Sequence, residues 1–202
     1  MYQSQEENKG DKMKTKLYLG ITVFLLFAVT TFCDAQELSP EFSKILEQNS
    51  LVFSLPQGFT PVPVVDNHDV QYDFAIQSKS EKLEIRYRII PIGWYKLSAN
   101  MDTSMIYHAM LSTMALNISK GTLSQTHDFP STSVREEFGA DAGSMTAVSC
   151  DSDFGKGFQK CMINVIHKNN IADAYIFFLF DDIRVLNAAL MTDKIYHALR
   201  FQ

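Results

Sequence analysis

The chain has 202 residues, 46% of them hydrophobic and 20% charged, with 23 acidic side chains against 18 basic ones and a net charge of −5. No basic stripe is present to displace counterions from nucleic acid, and no polybasic cluster is present to hold an anionic membrane surface. The acidic balance, with both signs interspersed, suits a dispersed protein rather than a polyanion binder.

The N-terminal stretch speaks to location. Lys14 and Lys16 precede an uncharged apolar run from Leu17 to about Val29, which ends in small and polar residues at Cys33-Asp34-Ala35. This is the layout of a secretory signal peptide, too short in its apolar part for a span of about 20 residues. Residues 1–35 therefore read as a signal peptide cleaved after Ala35. Met13 is an alternative start that would make residues 1–12 an extension. The mature chain, residues 36–202, is then one domain-sized segment with no membrane span, secreted or periplasmic. Cys33 offers a lipid anchor as the alternative, although Phe32 is larger than the small residue expected before a lipidated cysteine.

Ser39-Pro40-Glu41 marks a helix start, with a hydroxyl cap, proline in the first turn and an acid near the positive helix end. Apolar spacing carries that helix to Gln48. Leu51–Leu55 alternates and stops at the Pro56-Gln57-Gly58 turn, and residues 60–69 read as an extended loop. Val70, Tyr72, Phe74 and Ile76, then Leu83, Ile85, Tyr87 and Ile89, keep a period of two and form a hairpin. Residues 102–118 read as a helix with Gly121 beyond its end. Residues 123–129 and 134–138 read as irregular strands around Pro130. Residues 144–150 and 158–167 read as strands joined by a Gly-rich turn. Ala172–Phe180 is apolar enough for a strand covered on both faces. Asp181-Asp182 opens a last helix, with Leu186, Leu190, Ile195 and Leu199 on its inner side. This order gives an α+β domain with a central, mainly antiparallel β-sheet flanked by helices.

No catalytic or cofactor motif emerges. Asp151-Ser-Asp153-Phe-Gly155 opens like a calcium loop, but the third ligand and the terminal glutamate are missing. The five histidines show no zinc spacing. A serine–histidine–aspartate set has no Gly-x-Ser-x-Gly elbow to present it. Glu136 and Glu137, on a strand, point to opposite faces. Cys150 and Cys161, the pair left in the mature chain, are expected to form a disulfide in an oxidising compartment. Two loops stand out as contact surfaces for a partner or ligand: Trp94 and Tyr95 after a Gly-containing turn, and the small-residue segment with Phe138, Gly139, Asp141 and Gly143.

Phe53-Ser-Leu-Pro-Gln-Gly-Phe59, the strand pair 70–92, and Ala172–Phe180 leading toward Leu199-Arg200-Phe201 together resemble the PsbP-like α/β/α sandwich superfamily over about residues 50–201. That resemblance implies a binding or accessory protein and transfers no catalytic residue, metal or cofactor. Two functions follow as expectations. The first is an exported, non-catalytic module that engages another envelope or secreted protein. The alternative is a carrier or sensor for a small apolar ligand, held in a cavity between the sheet and the Met-rich helix that contains Met101, Met105, Met110 and Met114.

Overall fold

The computed structural model describes residues 38–68, 70–93, 104–122 and 124–202. The signal-like segment 1–35, Cys33, Trp94, Tyr95 and Met101 lie outside the described residues.

Helix α1 (Pro40–Gln48) starts where its sequence demands, with the Phe42 N–H donating to Ser39 Oγ at 3.2 Å and Pro40 in the first turn. It buries Phe42 and Leu46. Strand β1 (Leu51–Phe53) follows, then β2 (Phe59–Pro61), which takes the first two residues of the expected 60–69 loop. β3 (Phe74–Ser78) begins later than its alternation suggests. Upstream of it the Val70 N–H donates to Asn67 Oδ1 and the Val65 N–H to Tyr72 Oη, so side chains replace ladder partners there. β4 (Leu83–Pro91) completes the hairpin, and α2 (Ser104–Ile118) crosses to the far edge.

The next segment departs from the sequence reading. Only His127–Asp128 (β5) is strand, and Ser131–Phe138 is a helix, α3. Pro130 sits at its N-cap and Gly139, at φ 62°, closes it in the left-handed region. Val134 and Phe138, four apart, are the two side chains it buries. Glu136 and Glu137 therefore share a helix. β6 (Ala142–Ser149), the short α4 (Ser152–Gly155), β7 (Lys160–Lys168) and β8 (Ala172–Phe180) follow. α4 replaces the expected plain turn, since Asp151 Oδ1 accepts the Phe154 N–H at 3.0 Å. The chain ends in α5 (Ile183–Leu190), α6 (Asp193–Tyr196) and β9 (Leu199–Phe201). That last piece is a strand rather than the end of a helix, because Leu199 and Phe201 are buried with Arg200 exposed between them, a period of two that pairs with β1.

Seven strands form one antiparallel sheet in the order β2-β3-β4-β8-β7-β6-β5, and β1 and β9 make a separate ribbon. β8 lies at the centre with all nine residues buried, as its apolar run requires. Its odd-numbered residues Tyr175, Phe177 and Leu179 pack with Tyr107, Leu111 and Ile118 of α2. Its even-numbered residues Ala174, Ile176 and Phe178 pack with Phe42 of α1, Val134 of α3, Leu186 of α5 and the β1–β9 ribbon. Helices thus cover both faces in an α/β/α sandwich.

Cys150 and Cys161 are free thiols here, not a bridge. Cys161 sits directly opposite Val148, and Cys150 lies two residues beyond, so the two are diagonal neighbours. Their thiols lie in side-chain contact without a bond between them. Burial pushes the Cys161 thiol well up, and the adjacent Cys150 sulfur adds to this.

Candidate functional site

On the face covered by α1, α3 and α5, the outer strands do not meet the helices fully. Between β6, β7 and α5 a cavity of about 300 Å³ remains, walled by Phe129, Met145, Met162, Phe180, Leu186 and Leu190. Ala147, Ile183, Asn187 and Tyr196 also line it. Ile183 is 49% exposed, so the cavity opens toward solvent along the start of α5.

Three polar side chains line it, Asn164, Asn187 and Tyr196, and of these Asn164 is the buried one. Asn164 is only 5% exposed, and its Oδ1 has no hydrogen-bond partner. The register explains this. Asn164 on β7 stands opposite Met145 on one side and Ile176 on the other, and its same-face neighbours along the strand are Met162 and Ile166. None of these side chains can donate. An unpaired buried acceptor costs about 1–3 kcal/mol, and this one borders a cavity rather than packed rings. No charged residue lines the cavity among the described residues.

A larger open groove of about 550 Å³ runs between the β1–β2 and β3–β4 turns and α5. On its rim Arg184 bonds Asp182 at 2.6 Å and draws that carboxyl down to about 2, and Glu81 lines it as well.

Two histidine clusters occupy the opposite, α2-covered face. His108 Nε2 lies 2.7 Å from Asp128 Oδ1 and 2.9 Å from Ser144 Oγ, while the Ser144 hydroxyl donates to the same Asp128 oxygen at 2.5 Å. The three residue types of a hydrolytic triad therefore meet, but in the wrong order. The serine proton is committed to the carboxylate rather than to the imidazole, and Ser144 is fully buried. The Ser144 and His108 bonds hold the Asp128 carboxyl below its usual range. Further in, His167 Nδ1 bonds Asp173 Oδ1 at 2.6 Å, with its other nitrogen 3.1 Å from Asn169 Oδ1 and the Tyr107 ring stacked on it at 5.0 Å. Burial opposes charge on this ring. The Asp173 hydrogen bond and charge, with Asn169 and Asp141, outweigh that and raise the His167 pKa. Among the described residues no group of three or more His, Cys, Asp or Glu could hold a metal ion, and no helix is long and apolar enough to cross a membrane.

The loop residues singled out in the sequence make internal contacts. Phe138 is buried against Tyr196 and His197. A side chain at Gly139 would meet the Phe201 carbonyl at 2.8 Å, and one at Gly143 would meet Phe129 and the Val165 carbonyl at 2.9 Å. Asp141 Oδ2 accepts the Asn169 N–H at 2.9 Å. The pairing of Pro91 with Ala172 and of Ala142 with His167 brings this segment to the same end of the sheet as Gly93, the residue before Trp94. The Met-rich helix does not line the cavity. It lies on the other face, with Met105 and Met110 exposed and Met114 buried. Asn164 was not singled out by sequence reasoning. The signal was a lone amide at the centre of Met162-Ile-Asn-Val-Ile166, in phase with the apolar side chains at 162 and 166.

No family model and no curated protein matches this chain. Among solved structures it is similar to the solution structure of cyanobacterial PsbP (CyanoP) from Synechocystis sp. PCC 6803, at 12% sequence identity and a TM-score of 0.46, over 76% of this chain and 88% of that one. The likeness is a weak PsbP-like resemblance of fold.

Proposed function

We propose that residues 36–202 form a single exported, non-catalytic binding domain of the bacterial envelope or surroundings, which holds a small, mostly apolar ligand between its sheet and α5. The observation that carries this reading is the buried, unpartnered Asn164 Oδ1 in a mostly apolar wall that also carries Asn187 and Tyr196. The signal-like segment 14–36 supports export. A binding role without chemistry is supported by the buried Ser144 and its bond to Asp128.

The test uses the mature protein and a solvatochromic naphthalene dye. Saturable dye uptake with a blue shift is expected, and Ala147→Trp at the cavity mouth is expected to abolish it. No saturable uptake, or equal uptake by the variant, would overturn the reading.

Engagement of another envelope or secreted protein is the second reading. It is favoured by the convergence of Gly93, which leads into Trp94 and Tyr95, with residues 139–143 at one end of the sheet. Its test is crosslinking in the native envelope with wild type and Trp94→Ala. A substitution at Gly139 would be uninformative, because any side chain there collides with the Phe201 carbonyl. A partner retained equally by both proteins would sink that surface.

A further inference from the structure

We infer that the ligand presents an uncharged hydrogen-bonding head, a hydroxyl or primary amide, to Asn164, and that this residue sets which small molecules the cavity accepts. This rests on the ligand-binding reading above. The argument starts from what each kind of head group would meet. A primary amide carries an acceptor oxygen and two donor hydrogens, and by turning over it offers either end to one spot. A hydroxyl or a second amide can satisfy the Asn164 acceptor that the strand register leaves bare between Met145 and Ile176. A hydrocarbon would fill the space but leave that acceptor unpaired. A carboxylate or ammonium would lose its hydration opposite a wall with no countercharge among the described residues.

Size narrows the class further. A cavity of about 300 Å³ lies at the lower edge of small-molecule sites, which run from about 300 to 1,000 Å³. It suits one ring or a short chain rather than a long acyl tail. The head points inward to Asn164, and the apolar body extends past Met162 and Leu186 toward the exposed Ile183.

The experiment compares four probes of nearly equal shape on the mature protein: benzyl alcohol, benzamide, toluene and benzoate. Binding is followed by amide chemical-shift titration alongside the dye assay. Benzyl alcohol and benzamide are expected to bind at least about tenfold more tightly than toluene, as one satisfied polar group implies. Benzoate is expected to bind weakest. In Asn164→Leu, which keeps the volume and removes the amide, toluene is expected to overtake benzyl alcohol. Ala147→Trp, which leaves Asn164 in place, is expected to exclude all four. Dye uptake without discrimination among the probes, or with benzoate preferred, overturns this inference alone. Absence of both dye and probe binding overturns the underlying reading and this inference with it.

Discussion

The two faces of the sheet treat buried polar groups in opposite ways. On the α2 face, Arg86 is 3% exposed yet fully engaged: it bonds Glu84 at 2.6 Å and the Phe154 carbonyl at 2.6 Å, between the rings of Tyr72 and Phe154. His167 with Asp173, and Ser144 with Asp128 and His108, are likewise closed among themselves. On the face toward α1, α3 and α5 the core is almost wholly apolar, and among the described residues the two buried side-chain atoms without partners, Tyr87 Oη and Asn164 Oδ1, both lie there. Tyr87 is surrounded by the rings of Phe42, Phe53 and Phe74. Asn164 borders open space. The same chemical defect is thus structural at one position and available to a ligand at the other.

The contrast gives each face its own response to losing a polar group. The largest effect is expected for Asp173→Ala, which strands His167 in the interior. Removing one member of a buried pair costs about 3 kcal/mol or more, to be read as a lower denaturation midpoint in urea. Next comes pH. Because the His167 pKa is raised in the folded state, its contribution is full below about pH 6.5, the unfolded value, and is lost as pH rises through the higher native value. Urea midpoints across pH 6 to 9 should fall on the alkaline side, and the fall should vanish in His167→Gln. Asp128, with its lowered pKa, acts in the opposite sense and only in acid, so the two windows separate.

On the other face the sign reverses. Asn164→Leu should stabilise the ligand-free protein by about 1 kcal/mol through relief of an unpaired acceptor, raising Tm by about 2–4 °C for a domain of this size. A drop in Tm would mean that Asn164 has a partner in solution and would remove the basis of the site. The smallest effect is expected for Tyr87→Phe, neutral or slightly stabilising, because the hydroxyl removed makes no bond. Calorimetric destabilisation by more than about 1 kcal/mol would show a bound water or partner at that atom.

Much of the architecture was legible from local chemistry. Ser39-Pro40 announces α1, and the nearly continuous apolar and aromatic run at 172–180 announces the central strand, where all nine residues are buried. The misreadings have physical causes. Residues 131–138 contain one valine and one phenylalanine four apart, a helical stripe too sparse to outweigh the neighbouring prolyl turn, and only the Gly139 cap reveals it. β9 has only three residues, so its alternation is no distinct signal in the sequence, and its pairing with β1 is what makes it a strand. The candidate site depended on register. Asn164 is polar by composition, and its isolation follows from the identities of Met145 and Ile176 across the ladder, which no local pattern contains.

The β1–β9 ribbon also bears on when this chain can fold. Leu51 pairs with Phe201, and the backbone of Phe201 packs against Gly139. That layer closes only after nearly the entire domain has been synthesised, a late loop closure between distant residues. An emerging chain lacking residues 199–201 would hold its central strands while Leu51 and Gly139 still lack the Phe201 backbone that covers them. For the export proposed above such a delay is favourable, since a polypeptide stays threadable for longer when its final latch is made last.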